Sequence, residues 1–164
     1  METWQTLALA VATAAFAAYI LYQVRPRVGG KRMPLRTLLK AARARIDAAK
    51  DDAERATALC DAGDACAAAI GRSGAALQFY LRALRLKPAD ADLLKRAIHG
   101  LSKKPRALEK LLWRRLGSEP WTGETREVAK LGLAALSQVY ANGLRDRIRS
   151  KALAHAREAL EHKG

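Results

Sequence analysis

The chain has 164 residues and sets 30 lysines and arginines against 16 acidic residues, a formal charge of +14. Ala, Leu, Arg and Lys dominate while Val and Ile are sparse, which argues against a sheet fold and for helices. Cys60 and Cys66, with no CxxC and no clustered His–Cys spacing, exclude a disulfide scaffold and a zinc site of ordinary spacing.

The first element is the run from Trp4 to Val24, which carries no charged side chain. About 20 helical residues cross a hydrocarbon core of ~30 Å. A cleaved signal peptide wants a positive start and a short apolar stretch, whereas only Glu2 precedes this run. A buried core helix wants a polar stripe, which Gln5, Thr6 and Thr13 do not form. Of the three readings, a membrane span fits the residues best. Arg25, Arg27, Lys31, Arg32, Arg36, Lys40, Arg43 and Arg45 follow with no acid before Asp47. The positive-inside rule places this flank in the cytoplasm and the short N-terminus on the far side. Trp4 at one end and Tyr19 and Tyr22 at the other suit the headgroup layers, and Arg25, Arg27, Lys31 and Arg32 suit contact with anionic lipid. The expected organisation is an anchor over 1–24, a basic Pro- and Gly-containing linker over 25–34, and an all-α domain over 35–164.

Within that domain, Leu35, Leu38, Leu39, Ala42, Ile46 and Ala49 trace a helical stripe over 35–50. Asp51 and Asp52 open a second helix over 52–70, whose face of Ala56, Leu59, Cys60, Gly63, Ala67 and Ile70 suits close approach by a neighbour. Ser73 is the expected cap of a third, to Leu86, burying Ala76, Leu77, Tyr80, Leu81, Ala83 and Leu84. Asp90 or Asp92 opens a fourth, to Leu101, and Pro105 a fifth, to Leu116. After the turn GSEPWTG, a sixth helix is expected over 124–141 and a basic seventh over 144–162, buried along Leu144, Ile148, Ala152, Ala156 and Leu160. Short loops make such helices antiparallel neighbours.

Cys60 and Cys66, six positions apart, point about 240° apart on one helix and cannot pair there. Two free thiols suit a reducing cytoplasm. Trp113 and Trp121 flank the GSEP turn; core packing is the simpler reading of Trp113, while Trp121 either staples the last helices or stands as an exposed anchor.

Residues 57–90 repay a search at periods near 34. Ala76, Tyr80, Ala83 and Pro88 resemble the small, aromatic, small and proline positions in the second half of a tetratricopeptide repeat, and Gly71 falls in the inter-helix turn. Cys60 and Ala67 replace the family's usual large residues in the first half, and Gly63 comes one residue early. The unit over 91–117 is degenerate. The resemblance covers about a third of the chain. It implies a stack of antiparallel helical hairpins, the first helix of each lining a groove for a partner. That would bring Asp61, Asp64, Ala67 and Ala68 near Lys95, Ile98 and His99. It is similar in topology to bacterial single-span adaptors of this family, implying an inner-membrane protein with a cytoplasmic C-terminal domain.

No catalytic constellation is legible. His99, His155 and His162 are isolated, and GxxxxGK[ST], GxGxxG and GxSxG are missing. The expectation is therefore no enzyme, no cofactor and no metal, but a membrane-anchored scaffold for a protein or peptide. The alternatives are a structural subunit of a larger membrane complex, a receptor for targeting peptides, or, least favoured, a basic helical domain binding nucleic acid.

Overall fold

Two aspartates start two helices by the same chemistry. Asp51 Oδ1 accepts a hydrogen bond from the backbone N–H of Glu54 at 2.7 Å, and Asp90 Oδ1 accepts from those of Asp92 and Leu93 at 3.0 Å each. Each satisfies N–H groups that the first helical turn leaves without partners. The computed structural model describes residues 35–162, all within one unit, Pro34–Gly164. The described residues form α1 (Leu35–Ala48), α2 (Asp52–Ala68), α3 (Ser73–Leu86), α4 (Ala91–Leu101), α5 (Pro105–Leu116), α6 (Thr125–Gln138), a π-helical turn (Val139–Gly143) and α7 (Arg147–His162), with no strand. The expected span, its linker and the interface residues Trp4, Tyr19, Tyr22, Arg25, Arg27, Lys31 and Arg32 lie outside the described residues. Among those that are described, no helix is long and apolar enough to cross a membrane.

The helices stack as hairpins. α2 packs on α3, α4 lies beside α2, α5 lies beside α3, and α6 packs on α5, α4 and α7. α1 packs on α2, where Ala42 is buried and Leu39 and Ile46 are partly so. Small side chains permit this crowding: Ala56, Ala58, Ala62 and Gly63 of α2 are all buried. A single apolar cluster runs from Ala56 to Leu153, with Tyr80, Tyr140, Leu94, Leu111 and Leu136 among its largest fully buried members. Hydrogen bonds tie the layers. Lys104 Nζ donates to the carbonyls of Ala67 at 2.8 Å and Ala69 at 3.3 Å, satisfying the end of α2 with a cation where the helix dipole favours one. Buried Arg115 donates from Nη2 to the Pro88 carbonyl at 2.5 Å, joining α5 to the loop between α3 and α4.

Several sequence expectations need correction. α2 ends at Ala68, because Ala69 turns extended, and Ile70 is fully exposed rather than on the buried face. Ser73 is the first residue of α3 and not its cap; Arg72 holds that place without a side-chain bond. The sixth helix ends at Gln138 and yields to the π turn, where the N–H of Leu144 bonds the Val139 carbonyl at 2.9 Å. Arg145 then adopts a left-handed φ of 57°. α7 buries Leu153 and half-buries Ala156 and Leu160; an i+4 stripe drifts about 40° per step on a helix of about 3.6 residues per turn, so Ile148 and Ala152 fall outside that face and are exposed.

Candidate functional site

Tyr80 joins the successive hairpins. Its ring, fully buried, fills the space where α2 and α4 face α3. A Cβ added to Gly63 of α2 would lie 2.7 Å from Tyr80 Cε1, and one added to Gly100 of α4 would overlap Tyr80 Oη. Both helices approach the tyrosine with bare backbone: Gly63 lies on the small-residue face expected to admit a neighbour, while Gly100 is a use of glycine that spacing alone does not reveal. The hydroxyl donates to Asp64 Oδ1 at 2.5 Å.

Asp64 belongs to a charged network across three helices. Arg96 Nε of α4 donates to Asp64 Oδ2 at 2.8 Å, and Arg96 Nη2 also reaches Asp61 Oδ1 of α2. Arg45 Nη1 of α1 completes it through Asp61 Oδ2. Bonding to Asp61 outweighs partial burial and strengthens the hold of Arg96 on its proton. The acids are thus neutralised from within, and a cationic peptide would have to displace Arg96 or Arg45 to use them.

The residues expected to line a groove divide accordingly. Asp61 and Asp64 come together across α2, joined by Arg96 and not by Lys95, which is exposed and bonds Asp92 at 2.9 Å on its own helix. Ala67 and Ile98 are half-buried against the core, while Ala68 and His99 are exposed. Ala76, Tyr80 and Ala83 are buried, and Pro88 is half-buried in the loop to α4. Arg96 was the residue missed. It lies 32 and 35 positions after Asp64 and Asp61, close to the repeat period, but neighbouring Lys95 lies equally close, so spacing does not choose between the two cations.

A second cluster surrounds Tyr140. Its hydroxyl donates to Glu109 Oε1 at 2.6 Å and accepts from Trp113 Nε1 at 3.0 Å, while the Arg149 guanidinium stands 5.5 Å from its ring centre. Trp113, simplest to read as core from the sequence, is 46% exposed. Trp121 donates Nε1 to the Leu116 carbonyl at 2.8 Å, stapling the end of α5 to the following turn.

Cys60 and Cys66 are free and buried, and no group of three metal-ligating side chains exists among the described residues. Burial pushes the Cys60 thiol up to about 11. Burial, and then the bond to Asp64, raises the Tyr80 hydroxyl as well. Both groups hold their protons more tightly folded than unfolded. The fold therefore keeps this stabilisation below their ordinary values of 9.0 and 10.0 and loses it as pH rises past them. Urea midpoints measured between these values and pH 11 are expected to fall steadily; Cys66 is raised by burial as well, so Cys60→Ala should shrink the part that begins near 9.0 without abolishing it. A flat profile would contradict the burial of both groups.

No family model matches the chain, and neither a curated protein nor a solved structure matches it.

Proposed function

We propose that the chain is a membrane-tethered, tetratricopeptide-like adaptor whose helical stack holds a protein or peptide beside a bilayer, on the cytoplasmic side of a bacterial inner membrane. The observation that carries the reading is the Tyr80 wedge between α2 and α4, since it fixes the first helices of two successive hairpins side by side. The groove assigned to the partner runs along Ala67 and Ala68 of α2 and Lys95, Ile98 and His99 of α4. With Asp61 and Asp64 already paired, recognition there rests on shape, apolar contact and the exposed His99 and Lys95 rather than on free carboxylates. The uncharged run over 4–24 and its basic flank support the tether. A tether raises the effective concentration of even a weak site.

Photo-crosslinkers at Ala68 and His99, in cells, are expected to give one reproducible protein adduct that a crosslinker at exposed Gln78 of α3 does not give. Equal labelling from all three positions would sink the groove. For the tether, the C-terminal domain is expected to be digested by protease in inside-out vesicles and protected in right-side-out ones. The opposite pattern would overturn the orientation. A permanent structural subunit is the second reading, favoured by the exposure of Ile70 and Ile148. A detergent-solubilised chain that is monodisperse without partners would decide for the adaptor.

A further inference from the structure

Charge divides between the helices of the stack. α3 carries Arg82 and Arg85 with no acid, and α5 carries Arg106, Lys110, Arg114 and Arg115 with one acid, Glu109. Glu109 is engaged by Tyr140. The acids gather instead on α2 and its cap, at Asp51, Asp52, Glu54, Asp61 and Asp64. α3 and α5 pack side by side. Their exposed positions include Arg82 and Arg85 on one and Arg106, Lys110, Trp113 and Arg114 on the other. The spacing of the α5 set, i, i+4, i+7 and i+8, puts all four on one helix face.

Trp113 decides among partners. Its one polar atom, Nε1, is bonded to Tyr140, so the exposed part of the indole is apolar. It is the one large exposed aromatic on α3 and α5. Single-stranded nucleic acid wants several aromatic platforms in succession, and one indole does not make a row. A cationic face with one exposed indole among its charges is instead drawn to an anionic headgroup layer. We infer that the α3–α5 face lies on an anionic bilayer, with Arg106, Lys110 and Arg114 meeting lipid phosphates and Trp113 entering the headgroup region. This rests on the tethered reading only for proximity: residues 25–34 can hold the helical stack no farther than about 35 Å from the end of the expected span. The partner groove, on the first helices of the hairpins, is left free.

The test uses the full chain labelled with fluorotryptophan in nanodiscs. The three resonances are assigned by Trp→Phe variants, with a trace of lipid spin-labelled near the headgroup as broadening agent. Trp4 reports the tether and Trp113 the face. Trp113 is expected to broaden in discs containing phosphatidylglycerol and to stay sharp in pure phosphatidylcholine. The broadening should vanish at high salt and in the Arg106→Gln/Lys110→Gln/Arg114→Gln variant, whose changes are all at exposed positions and whose fold is checked by circular dichroism. Broadened Trp4 with sharp Trp113 in both discs overturns the inference while sparing the tether. Equal Trp113 broadening in neutral lipid overturns it too, since charge would not direct the contact. A Trp113 shift caused by an oligonucleotide, with none from phosphatidylglycerol, reassigns the face to nucleic acid. If Trp4 stays sharp in both discs the tether fails, and added phosphatidylglycerol vesicles then decide the face by the same Trp113 readout.

Discussion

Tyr80→Ala is expected to destabilise the domain by about 3–5 kcal/mol, the usual cost of removing a fully buried aromatic side chain. Tyr80→Phe keeps the ring and loses only the bond to Asp64, an expected cost of about 1–1.5 kcal/mol because water can reach the part-exposed carboxylate. Two glycine variants separate the parts. Gly100→Ala drives its Cβ into the tyrosine hydroxyl, an overpacking cost of about 1–3 kcal/mol. In the Tyr80→Phe background that atom is gone, so the double variant should cost less than the sum, with a coupling of about 1 kcal/mol or more. Gly63→Ala meets the ring carbons Cε1 and Cδ1 at 2.7 and 2.9 Å, and phenylalanine offers it no relief. Urea melts of the four single variants and two doubles measure this. Strict additivity for Gly100→Ala with Tyr80→Phe would mean that the hydroxyl does not set the approach of α4. The crosslinks from Ala68 and His99 should weaken in step with the Gly100→Ala cost, because the same wedge aligns both first helices.

Local chemistry was the part of the fold most legible in the sequence. Asp51 and Asp90 cap where short polar acceptors precede apolar periodicity, Pro105 opens α5, and Ala76, Tyr80 and Ala83 bury as their spacing predicts. The misreadings lie where phase is lost. The stripe through Ile148, Ala152, Ala156 and Leu160 follows a strict i+4 spacing, which drifts about 40° per step inside the single helix α7, so its first two members leave the face that Leu153 buries. Ile70 was misplaced because the helix ends before it and one extended residue at Ala69 swings it off the helix face. Of the candidate site, the acids were legible as a pair on one face, but their partner was not. Lys95 and Arg96 are adjacent cations pointing about 100° apart on α4, and only the stacked geometry decides that Arg96 turns inward.

Tyr140→Ala is expected to cost a similar amount, about 3–5 kcal/mol, because its ring is the other large aromatic closed inside the core. Its hydroxyl binds two residues of α5 and its ring faces a residue of α7. Loss of the ring therefore opens a cavity and also frees the π turn, Glu109, Trp113 and Arg149 together. Tyr140→Phe isolates the hydroxyl. Water can replace it at half-exposed Glu109 and Trp113, so the expected cost is smaller, about 1 kcal/mol. The cation–π contact with Arg149, about 0.5–1 kcal/mol at an exposed site, survives in phenylalanine. The two variants should therefore differ by about 2 kcal/mol or more in urea melts, and equal costs would show that the ring is not what holds the turn. Tyr140→Phe also frees the one carboxylate of α5 and the indole N–H beside the basic face. Trp113 emission should then shift to the red. If that face meets anionic lipid, the freed Glu109 should lower the salt concentration at which Trp113 broadening is lost, and Glu109→Gln in the same background should restore it.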